Sequence, residues 1–372
     1  LIRFPSVTPK DAGAIKFLSK KLKSLGFKCK ILKFKDKNGT IKNLYARLGS
    51  KQPNLCYAGH TDVVPPGEYK DWTINPFKPT IRKNYLIGRG ANDMKSSIAC
   101  FVSAVDNYLK NNPNFNGSIS FLITGDEEGL AINGTKKVVD YLKKKREKIN
   151  FCIVGEPTNP KKLGEMIKIG RRGSLSGVLE VFGTQGHVAY PHLSNNPINT
   201  LINICNRLKS IKLDKGNKNF QPSNLEFTSI FVNNKTHNVI PSKVKTRFNV
   251  RYNNIHTAST LKKKINLVIK KICKKNKCRY KIQYIANGDA FLTKPEKTIY
   301  MAKKIIREVT KINPRFSTTG GTSDARFIRK ISPCLEFGLV NKTMHKVDEC
   351  VSIADLKKLK KIYNNILVEY FR

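Results

Sequence analysis

The chain has 372 residues, of which 40% are hydrophobic, and it carries 70 Lys and Arg against 26 Asp and Glu, a net charge of +44. This length allows two domains with substantial cores, and no run approaches the roughly 18 apolar residues of a membrane span. The basic residues are spread along the whole chain without aromatic interleaving or a helix-turn-helix pattern, so the charge indicates compositional bias on exposed faces and no specific nucleic-acid partner.

The nine cysteines are scattered, odd in number and mostly embedded in apolar runs such as residues 151–154. This distribution is typical of reduced core thiols. No basic and then apolar leader ending in small residues is found. We therefore expect a cytoplasmic protein with no membrane partner.

Helices and strands alternate through the first part of the chain. Apolar residues at helical spacing after Asp11 predict a helix that ends at Gly26. The pair Asn38-Gly39 predicts a turn between the next two strands. The other predicted elements are strands at 27–34, 43–48, 55–58, 118–124 and 151–154 and a helix at 96–109.

Acidic and histidine side chains follow three of these strands. The carboxyl ends of parallel strands lie along one edge of a sheet, so we expect these side chains to meet. Like charges crowded together repel, and a site that keeps them usually has a cation that neutralises them. The sequence therefore predicts a metal site. Its candidate residues are His60 and Asp62 after the strand at 55–58, Asp93 before the helix at 96–109, Asp126, Glu127 and Glu128 after the strand at 118–124, and Glu156 after the strand at 151–154.

The pattern changes near Gly173. From there to residue 285, strands and helices follow in the order β-α-β-β-α-β, which is typical of a ferredoxin-like inserted domain. After Ala286 the first domain resumes and supplies His345 as a further candidate ligand. We therefore predict an α/β fold with a catalytic domain of residues 1–172 and 286–372, built on a mixed sheet flanked by helices, and an inserted α+β domain of residues 173–285.

Five motifs occur in order along nearly the whole chain: Gly59-His60-Thr61-Asp62, the loop 88–95 with Asp93, Asp126-Glu127-Glu128-Gly129, Gly155-Glu156-Pro157, and His345. This set resembles the dinuclear-zinc amidohydrolases and metallopeptidases, a family that includes glutamate carboxypeptidase, aminoacylase, acetylornithine deacetylase and succinyl-diaminopimelate desuccinylase. Residues 170–174, 185–193 and 319–327 look most like the desuccinylase branch. The resemblance implies a zinc-peptidase-like fold and hydrolysis of N-succinyl-LL-2,6-diaminopimelate to succinate and LL-2,6-diaminopimelate, in lysine biosynthesis. The alternative is deacetylation of acetylornithine or cleavage of a related acylamino acid or dipeptide.

The resemblance also implies two zinc ions per chain, with cobalt as an option in one position. His60, Asp93 and Glu156 would hold one ion, and Asp93, Glu128 and His345 the other, so that Asp93 bridges them. Three ligand carboxylates against four positive charges leave the site cationic, which would polarise the amide carbonyl and acidify a water molecule.

Further roles follow from the same resemblance. Glu127 would act as general base and pass the proton to the leaving amine, and Asp62 would orient the ligand His60. The inserted domain would form a homodimer in which His187 reaches the partner's site and stabilises the oxyanion. His192, in the same loop, has a structural role in this interpretation.

The small-molecule substrate carries several carboxylates, which need cationic or hydroxyl donors. One departure from the relatives is His237, which precedes Asn238 where an Asn-Asn pair is common. The predicted substrate-binding residues are Arg171, Arg172, Ser174, Tyr190, Asn238, Arg251 and Thr322.

Overall fold

The computed structural model describes residues 1–37 and 39–372, so Asn38 of the predicted Asn-Gly turn lies outside the described residues. The contacts divide the chain into two units. Unit 1 comprises Leu1–Gly170, Thr293–Ser317 and Ser323–Arg372, and unit 2 comprises Arg171–Leu292 and Thr318–Thr322. The domain boundaries at 172/173 and 285/286 stay a prediction.

Helices and strands alternate along the chain, and within the described ranges no helix is both long and apolar enough to cross a lipid bilayer. The α-helices are α1 (Ala14–Lys23), α2 (Ser96–Asn111), α3 (Thr135–Lys144), α4 (Pro197–Ser210), α5 (Ala258–Lys275), α6 (Lys297–Thr310), α7 (Ala325–Ile328) and α8 (Ile353–Tyr370). The strands are β1 (Lys28–Asp36), β2 (Gly39–Leu48), β3 (Asn54–His60), β4 (Thr80–Arg82), β5 (Tyr85–Ile87), β6 (Ser118–Thr124), β7 (Phe151–Val154), β8 (Met166–Lys168), β9 (Gly170–Arg171), β10 (Gly173–Phe182), β11 (Gly186–His187), β12 (Asn224–Phe231), β13 (Val239–Ile240), β14 (Lys243–Tyr252), β15 (Arg279–Ala286), β16 (Phe291–Leu292), β17 (Arg315–Ser317), β18 (Cys334–Glu336) and β19 (Cys350–Ser352).

Unit 1 is built on a mixed sheet with the strand order β1-β2-β6-β3-β7-β18-β8-β17. β3 runs parallel to β6 and β7, whereas β2 is antiparallel to β1 and β6. Every residue of β3, β6 and β7 is buried, as expected for strands covered on both faces. β3 extends beyond its predicted end at residue 58, because His60 still pairs with Thr124 of β6. The mixed sheet with its helices confirms the predicted α/β class.

An aromatic cluster around Tyr57 of β3 forms the core of unit 1 next to the strand ends. Tyr57 stacks on Phe101 of α2 with 4.4 Å between ring centroids, and Tyr363 of α8 meets it edge-on at 5.7 Å. Gly155, which follows β7, packs directly on the Tyr57 ring: a Cβ atom at Gly155 would lie 1.8 Å from the Tyr57 Oη. The absence of a side chain at Gly155 therefore lets the chain pass over the core and present Glu156.

Unit 2 contains a four-stranded sheet in the order β12-β14-β10-β15, in which all neighbours are antiparallel. Numbered along the chain, this is the order 2-3-1-4 of a ferredoxin-like motif, with α4 and α5 packed on the sheet. From Leu175 onward in β10, and along β14, alternate residues are buried, because the helices cover one face of the sheet. The buried core includes Leu179, Ile204, Phe248 and Ile265.

Candidate metal centre

Three neighbouring parallel strands end at the same edge of the unit 1 sheet. β3 ends at His60, β6 ends at Thr124 and continues into the acidic loop 125–129, and β7 ends at Val154 two residues before Glu156. Their shared direction places these side chains together, because the carboxyl ends of parallel strands meet at one edge.

Asp93 lies between the two histidines of the centre. Its Oδ1 is 3.0 Å from the Nε2 of His60, and its Oδ2 is 3.3 Å from the Nε2 of His345. The preceding Gly90 has φ 80°, a left-handed conformation that favours glycine and turns the loop into the centre. One carboxylate thus presents an oxygen to each imidazole, the arrangement that a bridging ligand needs.

Two further carboxylates extend this arrangement, one beside each histidine. Glu156 Oε1 is 4.0 Å from His60 Nε2, and Glu128 Oε1 is 2.9 Å from His345 Nε2. These two contacts pair Glu156 with His60 and Glu128 with His345, whereas the clusters of potential ligand atoms also join Glu128 and Glu127 to His60, so the division into two ligand sets stays a prediction. Two groups in the described part of the chain place one ligand atom per residue within 4.8 Å of one another: His60, Asp93 and Glu128, and His60, Glu127 and Glu156.

Asp62 forms hydrogen bonds with His60 and with the acidic loop 125–129. Its backbone carbonyl accepts a hydrogen bond from His60 Nδ1 at 2.9 Å, which directs Nε2 of the ring toward Asp93. Its carboxylate accepts the backbone N–H groups of Glu127, at 3.1 Å, and Glu128, at 2.9 Å. Burial raises the pKa of Asp62 to about 7, although the charge of His60 opposes this. Asp62 therefore orients His60 through its main chain and the acidic loop through its side chain.

The charges of the centre are strongly coupled. Burial, reinforced by the charge of Glu156, raises the pKa of Glu127 well above its usual range. Burial opposes protonation of His60, but the hydrogen bond with Asp93 and the negative charges of Asp93, Asp62 and Glu156 together outweigh it and raise the pKa of His60 well above the ordinary value. Hydrogen bonding with Asp93 and Glu128 likewise raises the pKa of His345 to about 10. The centre is thus an environment that attracts positive charge.

In unit 2, two of the predicted substrate-binding side chains come from adjacent strands, and a third, Arg172, directly precedes one of those strands. Ser174 of β10 pairs with Arg251 of β14, and the charge of Arg251 adds to burial in lowering the pKa of Arg172. Arg171 donates to the carbonyl of Gly321 at 3.2 Å, next to Thr322. The structure thus brings Arg172, Ser174 and Arg251 together, and Arg171 with the segment that carries Thr322.

The remaining predicted residues of unit 2 lie on two paired loops. His187 pairs with Val239, and the carbonyl of Asn238 accepts the backbone N–H of Val188 at 3.1 Å. The ring centroids of His187 and Tyr190 are 5.8 Å apart. His187, Tyr190, His192, His237 and Asn238 are all exposed in the chain as described.

The sequence profile of peptidase family M20/M25/M40 matches residues 56–369, which include every residue of the candidate metal centre. The chain belongs to this family. The predicted resemblance and the predicted enzyme class, a hydrolase, are therefore confirmed.

Several M20 relatives match over the full length of the chain. The succinyl-diaminopimelate desuccinylase of Pelagibacter ubique is 68% identical over 372 residues, covering 100% of this chain and 97% of the relative. The enzyme of the same name from Wolbachia pipientis wMel is 49% identical over 371 residues, covering 100% and 92%.

Solved structures of the M20 family share the fold. A metallo-carboxypeptidase from Sulfolobus solfataricus has a TM-score of 0.80 at 18% identity, with 100% of this chain and 97% of that chain covered. A Bacillus subtilis protein described as a dinuclear metal binding peptidase has a TM-score of 0.73 at 13% identity, with 100% and 95% covered. Identities this low support the fold alone.

The residues present in this M20 chain fit a pair of divalent cations. Imidazole nitrogen and carboxylate oxygen are the donors that such ions take from proteins, and here they converge within 4.8 Å. The surrounding carboxylates raise the pKa of His60, and the charge of Glu156 adds to burial in raising the pKa of Glu127, because crowded carboxylates favour added positive charge.

Sequence reasoning missed a buried ion pair beside these donors, between Arg89 and Glu349. Arg89 lies in the loop 88–95 that carries Asp93, and Glu349 follows His345 by four residues. Their proximity to the motifs was the available signal, but their contact joins positions 260 residues apart, which no local pattern reveals.

Proposed function

We propose that this chain hydrolyses the amide bond of N-succinyl-LL-2,6-diaminopimelate to succinate and LL-2,6-diaminopimelate, a step of lysine biosynthesis, in the cytoplasm. The observation that carries the proposal is the 68% identity, over the full chain, to a relative named succinyl-diaminopimelate desuccinylase. The candidate metal centre of unit 1 supports this proposal. It offers histidine and carboxylate donors for metal ions, and the carboxyl group of Glu127 as a base for amide hydrolysis.

In this proposal His60, Asp93 and Glu156 hold one zinc ion, and Asp93, Glu128 and His345 hold a second ion, zinc or cobalt. The support is geometric, since the two oxygens of Asp93 face the two imidazoles separately. When bound, the two ions would supply an electrophile for the amide carbonyl oxygen and lower the pKa of a water molecule.

Glu127 is the proposed general base. Its carboxyl group lies within 4.8 Å of His60 and Glu156 ligand atoms, and Asp62 holds its backbone N–H. It takes a proton from the attacking water as the new C–O bond forms. It then gives that proton to the amine nitrogen as the C–N bond breaks, and the second proton of the water passes from the new carboxyl group to the released amine, so diaminopimelate leaves with an ammonium group and succinate as a carboxylate.

Unit 2 contributes substrate contacts and the dimer in this proposal. Arg172, Ser174 and Arg251 form a polar cluster suited to a carboxylate, and Arg171, Tyr190, Asn238 and Thr322 add further donors. His187 of one protomer donates a hydrogen bond to the oxyanion formed in its partner. The exposure of the His187 loop leaves it available for such an approach.

The test is metal content together with hydrolysis of the succinyl substrate, for the wild type and for Glu127→Ala. We expect two metal ions per chain in both, with turnover in the wild type and a loss of at least about 100-fold in the variant. Faster turnover of acetylornithine than of the succinyl substrate would assign the alternative acyl group. A wild type that binds no metal would refute the proposed centre.

A further inference from the structure

A buried ion pair adjoins the metal centre without supplying a ligand to it. Arg89 and Glu349 are 2% and 1% exposed as side chains, and Arg89 Nη1 donates to Glu349 Oε2 at 2.7 Å. Removing two charges from water costs several kcal/mol per ion, and an apolar pair of similar volume is often as stable. A gain in fold stability therefore does not explain why a charged pair occupies this position. Its contacts with the neighbouring loops explain it better.

Glu349 fixes the backbone of the loop that carries Asp93. Its carboxylate accepts three main-chain donors of this loop, the N–H groups of Gly90 at 3.0 Å, Asn92 at 2.7 Å and Asp93 at 2.9 Å. All partners of this side chain are donors, so it acts as a carboxylate. A rigid main chain at Asp93 in turn sets where its two oxygens lie.

Arg89 fixes the loop that carries His345. Its guanidinium lies within 3.5 Å of the carbonyl oxygens of His345 and Lys346, and it also reaches Pro65, which follows Asp62 closely in the chain. The guanidinium carbon lies 5.1 Å from the ring centroid of Trp72, the only tryptophan of the chain. His345 itself has φ 63°, a conformation that non-glycine residues keep only when neighbouring contacts hold them.

We propose that the Arg89–Glu349 pair is a positioning device that links the Asp93 loop to the His345 loop and thereby sets the affinity of the ion held by Asp93, Glu128 and His345. This inference rests on the proposed function, because it assumes that those residues bind a metal. The pair touches no predicted substrate-binding residue in the described chain, so it acts through the two ligand loops.

The experiment titrates Co²⁺ into the metal-free full-length chain, by calorimetry and by the fluorescence of Trp72. For Glu349→Gln we expect the affinity of one of two ions to fall by about 10- to 100-fold, as for other residues that orient metal ligands, with a smaller loss for the other ion. The matched control is Glu147→Gln, which breaks the Arg47–Glu147 pair elsewhere in unit 1 and is expected to leave both affinities unchanged.

A second variant guards against misfolding from an unpaired buried Arg89. The double variant Arg89→Gln/Glu349→Gln removes both charges, and we expect the same selective loss. The single variant Arg89→Gln is measured as well: if Arg89 and Glu349 act as one device, the loss in the double variant is smaller than the product of the two single losses.

Two results would overturn the inference while leaving the proposed function intact: unchanged Co²⁺ binding in folded Glu349→Gln, or fully multiplicative losses in the double variant Arg89→Gln/Glu349→Gln. A wild type that takes up no Co²⁺ would instead refute the metal centre and, with it, this inference.

Discussion

Asp93 is the side chain on which both ligand sets depend. Because its Oδ1 faces His60 and its Oδ2 faces His345, in the proposed centre this residue would serve two ions, whereas each histidine would serve one. Substitutions of Asp93 and of the histidines should therefore differ in the number of metal ions bound per chain as well as in metal affinity.

We predict that His345→Ala retains one metal ion per chain and that Asp93→Ala weakens both. The reason is that His345 contributes to a single set and Asp93 to both. The measurement is metal content after dialysis, with His192→Ala as a control, since His192 is an exposed histidine of unit 2. Loss of both ions from His345→Ala would contradict the assignment.

Asp62 provides a second residue-scale prediction. Asp62→Asn removes one of the carboxylate oxygens that receive the backbone N–H groups of Glu127 and Glu128. We expect kcat to fall by about 10- to 100-fold while the fold is retained, as judged by circular dichroism. Wild-type turnover in this variant would show that the acidic loop does not need Asp62.

Among the elements, β3 and β7 depend on two glycines near the centre. A Cβ atom at Gly155 would collide with the ring of Tyr57, whereas one at Gly59 would meet the terminal methyl of Met94 at 2.6 Å. The first neighbour is a rigid ring in the core, and the second is the flexible end of a side chain.

We predict that Gly155→Ala destabilises the metal-free chain by about 1–3 kcal/mol or more and that Gly59→Ala costs less. Urea unfolding of both variants measures the difference, and metal is left out so that ligand effects do not contribute. Equal losses of unfolding free energy in the two variants would mean that the Tyr57 ring moves aside as easily as the Met94 side chain.

The elements that the sequence predicts best are those with long apolar runs. The strands at 118–124 and 151–154 have the predicted bounds. The short strands β8 and β17 were not predicted, because three residues carry too little periodicity to reveal a partner. In the same way, sequence motifs indicated which residues gather at the centre, but not which oxygen faces which ring.

At the scale of the molecule, the edge strand β12 of unit 2 leaves Ile230 and Phe231 62% and 64% exposed. Exposed apolar edges of this kind are candidate association surfaces. They support the proposed dimer through the inserted domain.

We predict that Phe231→Lys gives a monomer, whereas Leu267→Lys, at an equally exposed apolar position on α5, remains a dimer. A lysine on an edge strand opposes pairing with a second copy. Light scattering measures the mass, which is expected at 42.1 kDa for the monomer and twice that for the dimer. A dimeric Phe231→Lys would place the interface elsewhere.

Chelation provides a prediction for the whole chain. Removal of metal should abolish hydrolysis and lower the unfolding temperature, because a ligand at about 1,000 times its Kd stabilises a protein by about 4 kcal/mol. Zinc or cobalt should restore both. Activity that persists after exhaustive chelation would contradict metal-dependent hydrolysis.

The strand order of unit 1 also determines when its sheet can be completed during synthesis on the ribosome. β18 lies between β7 and β8 in the sheet, yet it is synthesised more than 160 residues after them. The segment 171–292 of unit 2 therefore emerges while its neighbour still lacks an interior strand, and because domains generally fold as units during synthesis, it can be complete first. The nascent sheet of unit 1 therefore lacks the strand between β7 and β8 until residue 336 has left the exit tunnel, and His345 follows only after that.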